Sequence, residues 1–217
     1  MLVGAGEVLF IALQIRLPLA RMVKHMRNQE PAVPQGAEEL QFVTRTYNEI
    51  LEETRKTHSQ LSFKASHDPL TGVYNRGTFE QFICQPDLND VALVIADVDK
   101  FKRINDTFGH EMGDKVLREV AETLKKLFRS EDMICRYGGD EFVVIMMHAT
   151  PDMRETVLHK METANTMLRQ CSGLPDPTLS VGISFSGKGK SGEELFREAD
   201  AALYRVKQNG GSGCEVH

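Results

Sequence analysis

The sequence predicts an α/β domain preceded by a smaller helical element. From Ser66 onward, short apolar runs typical of strands alternate with amphipathic patterns typical of helices, whereas residues 17–60 carry helical patterns alone. The chain has 217 residues, more than the roughly 150 of an average domain. Hydrophobic residues make up 41% and charged residues 26%, a balance typical of soluble globular proteins. We therefore divide the chain into segments 1–16, 17–64 and 65–217, with the domain boundary within residues 55–66.

Segment 1–16 is mostly apolar, but its apolar run is shorter than the about 20 residues that cross a bilayer. Glu7 interrupts the run, and the segment lacks the basic start and cleavage site of a secretory signal. Two interpretations stay open, the end of a truncated transmembrane helix and an amphipathic helix packed in a soluble protein. The first predicts membrane association of a longer parent chain, with the remainder on the cytoplasmic side of a bacterial inner membrane.

Charge and cysteine content exclude several classes of site. The net charge of -5 gives no clustered basic surface for phosphate backbones, and we expect no nucleic-acid partner. The cysteines form no C-x-x-C pair, so neither a zinc site nor a disulfide framework is predicted, and a reducing cytoplasm fits best. They are Cys84, Cys135, Cys171 and Cys214.

Segment 17–64 contains two helical patterns separated by PAVPQGA (Pro31–Ala37), where two prolines and a glycine cannot continue a helix. Each helix has one narrow apolar stripe between charged flanks, which predicts a coiled coil or small bundle between subunits and hence a homodimer. The stripe residues are Leu19, Met22, Val23, Met26, Leu40, Val43, Tyr47, Ile50 and Leu51. The string ELQFVTRTYNEI (Glu39–Ile50) resembles the second helix of a HAMP linker.

Segment 65–217 begins with motif-rich sequence and then alternates strands and helices. The predicted strands are Val91–Ala96, two strands joined by a glycine turn within Met133–Met147, and Thr178–Ser186. The predicted helices are Lys115–Phe128, Met153–Leu168 and Glu193–Lys207.

Two pairs of acids stand at predicted strand ends. Asp97 and Asp99 follow a buried strand, and Asp140 and Glu141 occupy the hairpin turn. If both strands belong to one sheet, these carboxylates converge, and converging carboxylates favour a cation such as Mg²⁺ with substrate phosphates. The acids alone leave open an exposed acidic turn beside a capped loop.

The turn also carries Gly138 and Gly139, which allow close approach of the backbone to phosphate and positive φ angles. No G-x-x-x-x-G-K-[ST] loop is present, so a nucleotide would be held without a P-loop. The nearest basic candidates are Lys102, Arg103 and Lys207.

Five motifs occur in the order and spacing of GGDEF diguanylate cyclases, and roughly residues 65–210 resemble that family. They are HDPLTGVYNR (His67–Arg76), ADVDKFKRINDTFGHEMGD (Ala96–Asp114), RYGGDEF (Arg136–Phe142), TLSVGIS (Thr178–Ser184) and ADAALYRVK (Ala199–Lys207). The resemblance implies a palm-like α/β nucleotidyl cyclase fold, with a central, mostly antiparallel sheet flanked by helices, preceded by a HAMP-like or coiled-coil stalk.

The resemblance also implies Mg²⁺, with Mn²⁺ as an alternative, at two ions per active half-site. The implied ligands are Asp97, the carbonyl of Val98, Asp140 and Glu141. Asp140 is the implied general base for the ribose 3′-hydroxyl, and Glu141 is the competing choice. A base or a metal is needed because a hydroxyl is a poor nucleophile at neutral pH.

For the substrate, the resemblance implies that Asn105 and Asp114 bind guanine and select GTP over ATP. The remaining implied substrate-binding residues are Asp99, Phe101, Lys102, Gly138, Gly139 and Lys207, with Lys102 also countering transition-state charge. His110 is either a substrate contact or a structural histidine. Without the resemblance, Asn105 and Asp114 equally suit turn-capping roles and Lys207 a solvated surface.

Two further details concern binding. RSED (Arg129–Asp132) stands where the family carries its R-x-x-D product-inhibition site. Binding of cyclic di-GMP there is chemically reasonable, because an arginine fork binds guanine or phosphate and an aspartate accepts from guanine. A surface ion pair at a helix end is the alternative. Family members often end with K-x-x-G-R-N, whereas this chain reads KQNGGSG, so Gly211 replaces the arginine and one phosphate contact is missing.

The implied activity is the Mg²⁺-dependent condensation of two GTP into cyclic di-GMP by a homodimer. The alternatives are a catalytically silent sensor of GTP or cyclic di-GMP and a scaffold acting through coiled-coil association. The interpretation as a scaffold gives no role to the acids at the strand ends, which are Asp97, Asp99, Asp140 and Glu141.

Overall fold

The computed structural model describes residue 7 and residues 9–85, 88–187 and 189–217. The chain divides into two compact units, the first ending at Phe63 and the second beginning at Lys64. This division lies within the predicted range 55–66. Residues 1–6 and 8 of the predicted segment 1–16 lie outside the described residues.

The first unit is helical. A π-helical turn, Ala12–Arg16, leads into helix α1 (Leu17–Arg27), and helix α2 (Glu38–Ser66) follows a non-helical connector. The predicted pair of helices and the break between them are confirmed. None of the helices in the described part of the chain has both the length and the apolarity needed to cross a membrane.

Helices α1 and α2 run side by side in the same direction. The N–H of Ala37, just before α2, donates to the carbonyl of Gln14 at 3.0 Å, and Thr44 on α2 contacts the sulfur of Met22 on α1 at 3.4 Å. The connector runs back between these ends, since Asn48 binds both the N–H and the carbonyl of Ala32. Connector contacts therefore fix the parallel arrangement.

The predicted apolar stripes are mostly uncovered. Met22 is buried, three stripe residues are half-buried and the other five are exposed. The exposed ones are Leu19, Val23, Met26, Val43 and Ile50. Within the described residues, the two helices thus leave apolar surface that they do not bury themselves.

The second unit is built on a six-stranded mixed sheet with strand order β1-β3-β4-β2-β5-β6. Strands β3, β4, β2 and β5 are antiparallel, whereas the edge strands β1 and β6 pair in parallel. The strands are β1 (Tyr74–Asn75), β2 (Val91–Val98), β3 (Met133–Arg136), β4 (Glu141–Met147), β5 (Leu179–Phe185) and β6 (Cys214–Val216). The predicted central, mostly antiparallel sheet flanked by helices is confirmed.

Helices cover both faces of the central strands of this sheet. Every residue of β2 and β5 is buried, which explains why their sequences are continuous apolar runs. One face of β2 packs with α5 and α6, and the other with α3 and α7. The helices are α3 (Arg76–Ile83), α4 (Phe101–Phe108), α5 (His110–Leu127), α6 (Arg154–Gln170) and α7 (Gly192–Gln208).

The predicted helices and strands are confirmed with shifted ends, and one helix boundary is wrong. The helix predicted from Lys115 begins at His110, and the separate helix α4 precedes it. Gly109, with φ of 84°, separates the two helices, a backbone angle that glycine adopts readily. Strands β1 and β6 are too short to show a periodic pattern.

Candidate functional site

The candidate site lies at the ends of three adjacent strands, β4, β2 and β5. Asp97 on β2 pairs in register with Glu141 on β4 and with Ser180 on β5. The N–H of Val98 donates to the carbonyl oxygen of Asp140 at 3.1 Å. Backbone pairing therefore brings the positions of the three acids together at one end of the sheet.

These acids form a cluster of negative charges that repel one another. Asp97 is only 9% exposed, and its Oδ2 lies 2.7 Å from Nζ of Lys207. Burial raises the pKa of Asp97, and the carboxylates of Asp140 and Asp99 add to the rise, whereas the ammonium group of Lys207 opposes it. Burial, followed by the charge of Asp97, also raises the pKa of Glu141. One lysine thus offsets the negative charge only in part.

The donor set suits a divalent cation that also binds a nucleotide. Across the described ranges, no group of three or more His, Cys, Asp or Glu side chains is arranged to hold a metal ion by itself. Mg²⁺ in nucleotide sites commonly takes one or two carboxylates and completes its shell with phosphates and water. Asp97 and Glu141 fit this pattern, because mutual repulsion between partly buried carboxylates favours a cation beside them.

Arg136 holds the acidic turn, residues 138–141, by hydrogen bonds. Its Nε and Nη2 donate to the carbonyl of Gly139 at 3.2 and 2.8 Å, and its Nη1 donates to both carboxylate oxygens of Asp68 at 3.2 and 3.3 Å. Asp68 also accepts from the N–H and the hydroxyl of Thr71. Burial works to raise the pKa of Asp68, but the hydrogen bonds from Thr71 and Arg136 outweigh it, and the net shift is downward.

We call the pairing of Arg136 with Asp68 and the Gly139 carbonyl the clamp. The sequence did not predict the clamp, although Asp68 and Arg136 stand in two of the quoted motifs. Periodicity says nothing about a pair of residues 68 positions apart. One signal in the sequence could have indicated it: the two motifs contain an acidic and a basic residue, Asp68 and Arg136, to which no role was assigned.

The two glycines of the turn have different roles. A Cβ on Gly138 would lie 2.7 Å from Oε2 of Glu141, so a side chain there would displace a carboxylate of the cluster. A Cβ on Gly139 would meet no described atom within 4 Å, which leaves room for a ligand. Neither glycine has a positive φ, so the turn does not use the positive φ angles that glycine allows.

The side chain of Asp99 is fully engaged by the protein. It accepts hydrogen bonds from the hydroxyls of Thr178 at 2.6 Å and Ser180 at 2.5 Å, and from the N–H of Ser212 at 3.0 Å. Asp99 therefore fastens the loop after β2 to β5 and to the turn after α7. Only the backbone near Asp99 remains available for the predicted phosphate contact.

Asn105 and Asp114 are brought close together by the packing of α4 on α5. A Cβ on Gly113 would lie 1.9 Å from Oδ1 of Asn105, so the amide rests directly on the residue before Asp114. Oδ1 of Asn105 is buried and has no hydrogen-bond partner among the described residues. His110 is exposed at the first residue of α5, and Phe101 lies beside Gly113.

A cavity of about 910 Å³ opens beside Asp97, within the size range of small-molecule sites. Of the predicted site residues, Asp97, Asp99 and Lys207 line it, together with Lys100, Arg103 and Gly211. Lys102 is exposed on α4 and does not line this cavity. The other predicted residues lie around the acidic cluster or between α4 and α5, outside the cavity wall.

The predicted product-inhibition residues lie at a separate place in the second unit. Asp132 is 7% exposed, and its two carboxylate oxygens accept from the N–H groups of Arg129 at 2.8 Å and Met147 at 3.0 Å. The Arg129 guanidinium pairs with Glu131 at 3.2 Å. Both residues line a smaller cavity of about 320 Å³.

Comparison with known proteins identifies relatives of both the sequence and the fold. The profile of the family described as "Diguanylate cyclase, GGDEF domain" matches residues 65–213. Diguanylate cyclase DgcP of Pseudomonas aeruginosa is 36% identical over 212 residues, and diguanylate cyclase DgcM of Escherichia coli is 37% identical over 167 residues. These alignments cover 91% and 73% of this chain, but only 31% and 40% of the relatives, so the chain spans well under half of either protein.

Among solved structures, the coiled coil and GGDEF domain of DgcB from Caulobacter crescentus in complex with c-di-GMP is similar, with a TM-score of 0.72 and 25% identity. The match covers 83% of this chain and all of that one. A microbial GGDEF domain described with cyclic di-GMP matches at a TM-score of 0.63 and 34% identity, over 72% of this chain and 99% of the other.

Proposed function

The chain belongs to the diguanylate cyclase GGDEF domain family, and we propose that it condenses two GTP molecules into cyclic di-GMP with release of two pyrophosphates. The observation that carries this proposal is the register of β2 and β4, which pairs Asp97 with Glu141 and places Asp140 beside Val98. Of these three acids, Asp97 lines a cavity of about 910 Å³, which lies within the size range of small-molecule sites.

In this proposal Asn105 and Asp114 bind the guanine base. Guanine presents N–H donors on the edge that distinguishes it from adenine, and a carboxylate and an amide oxygen are acceptors for them. The unpartnered Oδ1 of Asn105 supports this role, because a buried acceptor without a donor costs about 1–3 kcal/mol that a ligand donor can recover. The phosphates extend toward Lys102, Lys207 and the backbone of Gly138, Gly139 and Phe101.

The reaction joins the 3′-oxygen of one GTP to the α-phosphorus of the other. The bond from that phosphorus to the bridging oxygen of pyrophosphate breaks, and the proton of the hydroxyl passes to a carboxylate, which we assign to Asp140 with Glu141 as the alternative. Two ions of Mg²⁺ or Mn²⁺ per active half-site would be held by Asp97, the carbonyl of Val98, Asp140 and Glu141. These ions would polarise the hydroxyl and offset phosphate charge. Lys102 and Lys207 add positive charge as the pyrophosphate leaves.

Each domain binds one GTP in this scheme, so cyclisation requires two domains facing each other in a homodimer. The exposed stripe residues of α1 and α2 support association of two first units. The parallel course of α1 and α2, with the connector running back, supports a HAMP-like linker that passes a signal to the catalytic domain. Attachment of a longer parent chain to the cytoplasmic side of a bacterial inner membrane belongs to the same proposal.

Product inhibition by cyclic di-GMP at Arg129 and Asp132 is a further part of the proposal. Both residues line one cavity. Because the carboxylate of Asp132 already accepts two backbone N–H groups, Arg129 would be the principal ligand, released from its exposed pair with Glu131.

The test is incubation of the purified 217-residue chain with GTP and Mg²⁺, followed by chromatographic detection of cyclic di-GMP. The parent chain is expected to form product, and Asp140→Asn to lose at least about a hundredfold in rate. Asp106→Asn is the matched control, since Asp106 is an exposed acid on α4 outside the site, and it is expected to retain full activity. Binding of cyclic di-GMP without turnover would instead identify a sensor.

A further inference from the structure

The cavity beside Asp97 contains two basic residues that the proposed mechanism does not use, Lys100 and Arg103. The residues of α4 and its N-cap that line the cavity are spaced three and four apart, which is one face of a helix. They are Lys100, Arg103, Ile104, Thr107 and Phe108. Lys102 falls outside this face, so Arg103 is the basic residue that the helix turns toward the cavity.

No salt bridge within 4.0 Å joins Lys100 or Arg103 to a carboxylate of the described residues. Of the acids on the cavity wall, Asp97 is paired with Lys207 and Asp99 is held by three donors. The third, Asp176, stands on the segment before β5.

Position 211 cannot supply the arginine that the sequence lacks. Gly211 has a φ of 77°, and a Cβ there would lie 2.8 Å from Oδ1 of Asp99 and 3.2 Å from Oγ of Ser180. A side chain at position 211 would be strained and would press on the loop that Asp99 fastens. A second cation beside Lys207 would therefore have to come from another part of the cavity wall, where α4 and its N-cap contribute Arg103 and Lys100.

We propose that Arg103, assisted by Lys100, binds the γ-phosphate of GTP in this cavity, which Lys207 also lines. The inference rests on the proposed function, and it assigns to this chain a phosphate ligand on α4 in place of a side chain at position 211. The guanidinium fork suits two phosphate oxygens at once. The start of α4 adds to the attraction, because its N-cap, Lys100, makes no side-chain cap hydrogen bond and the first N–H groups of a helix favour negative charge.

The test compares the dissociation constants of GTP and GMP for the full 217-residue chain by calorimetry. Arg103→Ala is expected to weaken GTP binding by about tenfold to a hundredfold and to leave GMP binding unchanged, because GMP lacks the γ-phosphate. Arg103→Lys should recover part of the loss. Arg154→Ala, which removes an exposed positive charge on α6, is the matched control and should bind both nucleotides as the parent does.

Two results would overturn the assignment: unchanged GTP binding by Arg103→Ala, or equal weakening of GTP and GMP. The outcome is separable from that of the proposed function. A parent chain that binds GTP without making cyclic di-GMP contradicts the cyclase activity, yet the comparison of GTP with GMP still decides the role of Arg103. A parent chain that binds no GTP contradicts both.

Discussion

Arg136 and Asp68 form an ion pair, with side chains that are each 17% exposed, directly beneath the acidic turn. The same guanidinium holds the carbonyl of Gly139, so the pair connects the HDPLTG loop with the backbone that carries Asp140 and Glu141. Removing either partner would leave a partly buried charge without its counterpart. We therefore regard both as positioning residues for the turn.

Replacement of Arg136 by lysine should damage both the turn and catalysis. Lysine keeps the charge but cannot reach Asp68 and the Gly139 carbonyl at the same time, because it lacks the planar fork. We expect a loss of about 1–3 kcal/mol in the free energy of unfolding and a fall of about tenfold in kcat, with a smaller change in KM. Urea denaturation and steady-state kinetics measure these quantities, and Arg154→Lys serves as the control. An unchanged kcat would show that the clamp does not position the acids.

The clamp should also make stability depend on pH. The pKa of Asp68 is lowered in the folded protein, so its stabilising contribution is complete above the ordinary value of 3.8 and is lost as the pH falls through the lower folded value. The difference in unfolding free energy between the parent chain and Asp68→Asn should thus be about 1–3 kcal/mol at pH 7 and shrink as the medium is acidified below about pH 4. A difference that stays constant to pH 3 would contradict this account.

Restoring the arginine that the sequence lacks should destabilise the protein. Gly211→Arg forces a side chain onto a backbone with φ of 77° beside Asp99, and we expect a loss of about 1–3 kcal/mol in unfolding free energy, without a gain in GTP affinity. Gly187→Arg is the control, because a Cβ there meets no described atom within 4 Å and its φ is not positive. A more stable or tighter-binding Gly211→Arg chain would show that the turn after α7 rearranges to accept the side chain.

The stripe on α2 should control association of the chain. Ile50 is 58% exposed, and a glutamate in its place puts charge on an apolar surface that a second subunit would cover. We expect Ile50→Glu to shift the chain from dimer to monomer in light scattering and to lower cyclic di-GMP formation with it. Glu49→Gln, on an exposed neighbouring residue outside the stripe, should leave the dimer intact. A monomeric parent chain with full activity would refute the dependence on dimerisation.

The sequence predicted those parts of the structure that depend on local patterns. The buried strand before Asp97 and the hairpin around Gly138 each have a clear apolar signature, so the convergence of their acids followed from placing both in one sheet. The partners of Asp99 could not be predicted, since Thr178, Ser180 and Ser212 are 79 to 113 positions away along the chain. The position of Arg103 on the cavity side of α4 could not be predicted either, because it depends on the rotational phase of the helix, which a helix of eight residues does not reveal.

The most direct test is a crystal structure of the chain with Mn²⁺ and a non-hydrolysable GTP analogue, with the metal located by anomalous scattering. The account predicts a metal ion within about 2.5 Å of carboxylate oxygens of both Asp97 and Glu141, bound also to nucleotide phosphate, with Lys207 displaced from Asp97 onto phosphate. Nucleotide bound elsewhere, or Asp97 still paired with Lys207 and no metal between the acids, would contradict it.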